Sequence, residues 1–251
     1  MSAVYREYRP ERPLLPFVEC GWVRSESANR SIRVMPDGCV DLFLTSEGNL
    51  MVAGPATTCY DQAADQESVL AGLRLRPGAA AAVLGQPASE LTDTRIPIDS
   101  VFGAARHRMT EDLLAATTPG KRVAVLQTML TESFARAEPV LDQPVVRAVQ
   151  ILRRHPDWSV SRLAAEVGLS ERQLRRRFMA AVGYGPKRLG RIFRLQRLLD
   201  LIHAADGRIR WAELAIEARY ADQSHMINEC SMLAGVTPAP LPVARAINAW
   251  T

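Results

Sequence analysis

Arg172, Arg175 and Arg176 stand in the stretch "LSERQLRRRFMAAVG". Leu174, Phe178 and Val182 recur there every fourth residue and must turn one helix side inward, which leaves the arginines on the opposite side. A guanidinium donates two hydrogen bonds to guanine O6 and N7 and is also drawn to phosphate. The helix N-terminus that carries them adds backbone N–H groups suited to phosphate. This is the chemistry of major-groove reading. The competing reading, a plain solvated face, would more often mix Glu with Lys or Arg.

Other chemistry finds little footing. Cys20, Cys39, Cys59 and Cys230 form no CxxC pair and no zinc-ligand spacing with a His, so free and mostly buried thiols are expected. A thiol sensor built around Cys39 or Cys59 is the alternative. Asp37 and Asp41 in "PDGCVD" invite an acid–base reading, against which stands the commoner role of a turn-capping Asp. No Ser/His/Asp set and no Gly-rich phosphate loop is present. No His precedes His107, so neither a metal site nor an enzymatic β domain is expected there. The expectation is therefore a non-enzyme without catalytic residues, metal or cofactor.

Charge is distributed unevenly. Residues 1–140 hold 14 Arg/Lys against 17 Asp/Glu, residues 153–210 hold 14 against 5, and residues 211–251 hold 2 against 4. The central segment thus carries a net charge of +9, which points to a polyanionic partner. No run of about 18 apolar residues exists, so no membrane span is expected. The first residues carry charges and prolines where a signal peptide needs an apolar stretch, so a cytoplasmic location is expected.

The elements that must position the arginines follow from periodicity. Residues 1–100 read as a small antiparallel β region, with strands in 31–44 around the "PDG" turn, in 49–54 and in 68–78. In the last, Leu73 and Leu75 alternate with Arg74 and Arg76, the pattern of a half-buried strand. Helices are expected over 101–117 and 120–137, the second through Val123, Leu126, Leu130 and Phe134. Residues 139–144 are the expected linker between an N-terminal sensing or dimerisation domain (1–138) and a C-terminal all-α domain (145–251). Asp142 is placed to cap the next helix, with Pro144 just inside it. Ser159 and Ser170 are placed to cap two short helices around Gly168, and Gln173 completes a capping box. A long helix from Pro186 carries too many apolar residues for one stripe, so it should lie buried between modules. Its Lys187, Arg188, Arg191, Arg194 and Arg197 either touch phosphates or run along apolar surface. The pattern then recurs: "WAELAIEA" echoes "SRLAAEV", and "DQSHMINECSMLAG" echoes "SERQLRRRFMAAVG". Two helix–turn–helix units joined by one helix can place two reading helices in successive major grooves, about 34 Å apart. The fold class is α+β.

"LAAEVGLSERQLRRRF", "GYGPKRLGRIFRLQRLLDLI" and "YADQSH…GVTP" together resemble the C-terminal DNA-binding domain of the AraC/XylS family of transcription regulators. The N-terminal stretches "VMPDGCVDLFL", "AGP", "GLRLRPGAA" and "IPIDSVFG" resemble, less closely, the diverged cupin-like sensing domain of some members. The resemblance implies base contacts through Arg172, Arg175 and Arg176 in the first unit, and through Gln223, Ser224 and Asn228 in the second. It implies double-stranded operator or promoter DNA as partner, and it admits RNA polymerase, a small-molecule effector and a second copy of the chain as others. A dimerisation module, or a fold that keeps no ligand, is the alternative for the N-terminal part.

The second unit departs from the family pattern, which has Gly at position 219 and Phe at 226 and 230, where this chain has Arg219, Met226 and Cys230. A non-Gly residue at positive φ costs roughly 1 kcal/mol, and a large-to-small core change about 2–5 kcal/mol unless neighbours such as Trp211 or Met232 fill the gap. The second reading helix also lacks any Lys or Arg and offers His225 beside acidic Asp222 and Glu229. Two further readings follow: an effector-binding protein whose second DNA module has decayed, and, ranked below it, a cysteine-based DNA-alkylation sensor.

Overall fold

The structure, a computed structural model, describes residues 5–26, 30–64, 67–102, 113, 116, 118–205 and 209–241. Its strands are β1 (Tyr5–Tyr8), β2 (Val18–Glu26), β3 (Arg30–Val34), β4 (Val40–Leu44), β5 (Leu50–Ala53), β6 (Tyr60–Ala64), β7 (Ser68–Leu75) and β8 (Arg95–Pro97). Six pair antiparallel in the order β1-β2-β7-β4-β5-β8, and β3 pairs with β6 in a separate two-stranded sheet. The helices are α1 (Ala80–Leu84), α2 (Asp99–Phe102), α3 (Pro119–Ala137), α4 (Gln143–Arg154), α5 (Val160–Glu166), α6 (Glu171–Val182), α7 (Pro186–Ala204), α8 (Trp211–Glu217) and α9 (Gln223–Ala234). The fold is α+β, as the periodicities indicated. The helix expected over 101–117 begins as α2 and otherwise lies almost wholly outside the described residues.

Alternation sorts the six-stranded sheet into two faces. Val23, Leu42, Leu44, Val52, Leu73 and Leu75 form one face, buried with Val123, Leu126 and Leu130 of α3. Phe134 sits at the margin of this core, edge to face with Phe17 at 4.6 Å. Trp22, Arg24, Asp41, Phe43, Leu70 and Arg74 form the other face, turned toward Val34, Tyr60 and Gln62 of the small sheet. Gly72 is required there, because a Cβ on it would lie 2.7 Å from the Trp22 indole.

Arg74 corrects the expectation of a half-buried strand. The face it shares with Trp22 is covered, and Arg74 keeps only 4% of its surface. It is compensated by Asp37 at 3.4 Å and Asp41 at 3.2 Å. Asp37 also accepts a hydrogen bond from the Cys39 N–H at 2.8 Å, so the turn-capping role is the one observed. Strands β1, β2, β6 and β8 lay outside the expected set. The nine residues of β2 escape a pattern search because both faces are covered, leaving no polar side to alternate with.

The helical region has its own core, from Val145 and Leu152 through Leu163, Leu174 and Phe178 to Leu189, Ile192, Met226 and Cys230. Asp142 caps α4 by accepting from the Val145 N–H, as its spacing implied. Several seams among the described residues join this region to the sheets. Met35 is buried in the helical core, and Gln196 of α7 donates to the Pro36 carbonyl at 2.6 Å. Thr92 donates to the Gly183 carbonyl at 3.0 Å, just past α6. The Cys59 N–H donates to the Leu233 carbonyl of α9 at 2.7 Å. No described helix is long and apolar enough to cross a membrane.

Candidate nucleic-acid interface

The first unit forms as its capping residues direct. Ser159 accepts from the Arg162 N–H to start α5. The chain reverses at Gly168 (φ 69°), and Ser170 with Gln173 closes a complete capping box on α6. Leu163, Leu174 and Phe178 are fully buried beneath it. Arg172, Arg175 and Arg176 are all exposed on the outer side of α6. Arg175 pairs with Glu171 one turn earlier at 2.8 Å, which steadies it without covering it. Met179, 43% exposed, extends the same face by another turn. Its spacing from Arg172, Arg175 and Arg176 is the signal in the sequence that places it on this face. An exposed thioether there offers apolar contact to a thymine methyl. Arg177 turns away to Asp142 at 3.3 Å.

The second unit repeats the design with altered parts. The turn falls at Arg219, whose φ of 69° equals that of Gly168. It is one residue longer: Asp222 caps α9 three positions after Arg219, whereas Ser170 caps α6 two positions after Gly168. His225 replaces the capping-box Gln, and its Nδ1 accepts from the Ala221 N–H at 3.2 Å. Gln223, Ser224 and Asn228 are exposed, while Met226 and Cys230 are fully buried.

Glu229 departs from expectation. The sequence places it beside Asp222 as an acidic residue of the reading helix, but it is only 1% exposed and faces α7. Arg194 donates to both its oxygens, at 2.8 and 2.7 Å, and Arg191 to one, at 2.8 Å. Burial alone would raise the Glu229 carboxyl, but the hydrogen bonds from Arg194 and Arg191 outweigh it and hold the group below its ordinary value. The arginines of the basic helix α7 all find partners within the protein that local spacing does not reveal. Arg191 and Arg194 clamp α9 to α7, Arg197 donates to the Glu217 carbonyl at 2.7 Å, and Arg188 to the Thr57 carbonyl at 3.1 Å. Lys187 remains exposed near the start of α7.

The gap left by Cys230 is not filled by Met232, which is 53% exposed. Trp211 is partly buried and does pack against this core. The distant contributor is Cys59, which reaches the same core from the sheet side. Sequence spacing carries no signal of it, because the two cysteines are far apart in the chain.

Residues 163–241 match the family model described as a helix-turn-helix domain. The C-terminal module is an AraC-type helix–turn–helix domain. Residues 6–97 match a model described as a domain of unknown function, DUF6597. No curated protein matches the chain in sequence. Among solved structures, ToxT from Vibrio cholerae O395 is similar at 9% identity, with a TM-score of 0.47, over 87% of this chain and 95% of that one. ToxT of V. cholerae strain SCE256, described as bound to an unsaturated fatty acid, is similar at 8% identity, with a TM-score of 0.45, over 95% of this chain and 94% of that one. Likeness at this level carries no argument about ligand or mechanism. What bears on function is the AraC-type module together with its outward arginines.

Proposed function

We propose that this protein is a sequence-specific DNA-binding regulator of transcription, with residues 145–251 reading DNA and residues 1–138 controlling that reading. The observation that supports it best is the exposed row Arg172, Arg175, Arg176 on the N-terminal half of a capped helix, inside an AraC-type domain. Arg172 and Arg176 read guanines, Arg175 contributes to phosphate attraction, and Gln223, Ser224 and Asn228 add weaker contacts from α9. In a binding assay against DNA selected from its own genome, log Kd should rise steeply with log salt, by roughly 0.9 for each phosphate neutralised. Arg176→Ala should cost about 1–3 kcal/mol and relax preference at one base position. Unchanged operator binding by that variant defeats the assignment of the reading face.

A second reading, in which α9 no longer reads DNA, is favoured by one observation: α9 exposes Gln223, Ser224 and Asn228 but carries no Lys or Arg to attract phosphate. A footprint confined to one groove turn supports it, and a two-turn footprint lost on Gln223→Ala rejects it. The alkylation reading gains nothing from the thiols. Cys20 and Cys39 are buried, and burial pushes Cys20 up to about 12 and Cys39 well above its ordinary value, which disfavours the thiolate an alkyl acceptor needs.

A further inference from the structure

The C-terminal ends of the two reading helices meet the same small part of the sheet region. Helix α6 closes at Gly183 and α9 at Gly235, both left-handed and both at the same position of their units, as Phe178 and Cys230 are. A Cβ on Gly183 would lie 2.6 Å from the Thr92 hydroxyl and 2.7 Å from the Pro55 ring. A Cβ on Gly235 would lie 3.6 Å from the Cys59 sulfur. Hydrogen bonds fix the same contacts. Thr92 donates to the Gly183 carbonyl at 3.0 Å, the Cys59 N–H to the Leu233 carbonyl at 2.7 Å, and Arg188 of α7 to the Thr57 carbonyl at 3.1 Å.

The two segments that make these contacts, 54–59 and 88–94, are fastened to each other. The Gly54 N–H donates to the Thr94 carbonyl at 3.0 Å, and the Asp93 N–H to the Pro55 carbonyl at 3.3 Å. The Asp93 carboxylate completes the joint by accepting from the Thr57 N–H and from the Thr57 hydroxyl, both at 2.6 Å. It does so from a backbone φ of 57°. That left-handed conformation is costly for a residue with a side chain and persists only where its surroundings fix it. Glycine would relieve the strain but would lose the carboxylate. Between α6 and α7 the chain runs Gly183-Tyr184-Gly185. Two glycines so close make a change of angle cheap at that point. The fastened segments span it. Pro55 and Thr92 hold the α6 side, while Thr57 and Cys59 hold α7 and α9 on the other.

We propose that segments 54–59 and 88–94 act as a bracket that sets the separation of the two reading helices, and so the spacing between the two DNA grooves the protein accepts, with Asp93 as the positioning residue that joins the bracket's arms. The bracket grips each helix at its C-terminal end, so the exposed Arg172, Arg175 and Arg176 of α6 stay free for DNA. Its effect falls on specificity. A single inserted base pair moves one groove by about 3.4 Å and turns it by about 35°. A fixed pair of helices cannot follow that change, whereas a pair free to pivot follows it and loses the advantage of preorganisation on the correct duplex. The spacing role rests on the DNA-reading function proposed above, in its two-groove form; the bracket's hold on α9 does not.

The test uses the full chain and a duplex that it selects from a random-sequence library, beside the same duplex lengthened by one base pair between the two protected grooves. The wild type should bind the selected duplex at least about tenfold more tightly than the lengthened one. Asp93→Gly removes the carboxylate without adding backbone strain and should reduce that ratio to about threefold or less. Thr92→Val, which removes the donor to Gly183, should do the same. Asp93→Asn, which can still bond Thr57, should keep most of the ratio. A loss of stability alone weakens both duplexes alike, so an unchanged ratio in Asp93→Gly and Thr92→Val overturns the spacing role. A wild-type footprint over one groove also overturns it, and leaves DNA reading by α6 in place. Hydrogen exchange judges the bracket without DNA. The Cys59 amide, bonded to Leu233, should exchange at least about tenfold faster in Asp93→Gly than in the wild type. Equal exchange overturns the bracket. Faster exchange in a chain whose wild type binds no DNA rejects the DNA-reading function and leaves the bracket's hold on α9 standing.

Discussion

The two helix–turn–helix units use the same backbone and different chemistry. Both reverse at φ 69°, yet one does so with Gly168 and the other with Arg219. Both bury the same two positions of the reading helix, Leu174 and Phe178 in α6 against Met226 and Cys230 in α9. The first unit carries its own capping box, a bulky core and outward cations, and meets the sheet region through Thr92 on the Gly183 carbonyl. The second leans on the rest of the molecule. Its core is reached by Cys59 from the sheets, and its helix is held by a buried carboxylate between Arg191 and Arg194. The lesson is that weak local signals in α9 mark dependence on tertiary partners rather than loss of structure.

Several substitutions sharpen or break this contrast. The largest effect is expected at Glu229. Glu229→Gln leaves Arg194, only 11% exposed, without its charge partner, and should cost about 3–5 kcal/mol in urea unfolding. The depressed Glu229 carboxyl also fixes a pH signature. Because the folded group titrates below its ordinary value near 4.5, its stabilisation is whole above that pH and drains away as pH falls through the folded value. Glu229→Gln should flatten that acid limb of the stability profile. An unchanged profile would show that Arg191 and Arg194 do not depend on it.

Next come the two core positions. Phe178→Cys, which copies the second unit into the first, should cost about 3–5 kcal/mol through the cavity it leaves in the core. Cys230→Phe, the reverse, should cost about 1–3 kcal/mol through overpacking against the Cys59 side. If Cys230→Phe instead stabilises the protein, the second core is loosely filled and the contrast fails. On DNA, Arg176→Ala should weaken binding more than Asn228→Ala, since only the former loses charge as well as base contact; equal losses by filter binding would put the units on a par. The smallest effect belongs to the turn. Arg219→Gly relieves the positive-φ strain and should stabilise by up to about 1 kcal/mol, less what Gly adds to the unfolded chain's entropy.

Much of this was readable beforehand. Caps at Asp142, Ser159 and Ser170, the turn at Gly168 and the outward arginines of α6 all depend on neighbours within one helical turn, so local spacing reveals them. The strands β3, β4, β5 and β7 were legible for the same reason. Met179 was legible by the same spacing. What stayed hidden depends on long-range contact. Arg74 reads as a solvent-side residue until the small sheet covers it. Glu229 reads as surface acid until α7 brings two arginines from 35 and 38 residues away.

By itself, then, the sequence determined the helix–turn–helix geometry and the outward placement of the α6 arginines, because capping, turn conformation and apolar period act within a few residues. Only the tertiary structure decided that the sheet has a charged covered face, that the basic helix spends two of its arginines on Glu229, and that Cys59 joins the second core. Those outcomes hinge on which buried charges find partners across elements, and burial is a property of the packed whole rather than of any short stretch of chain.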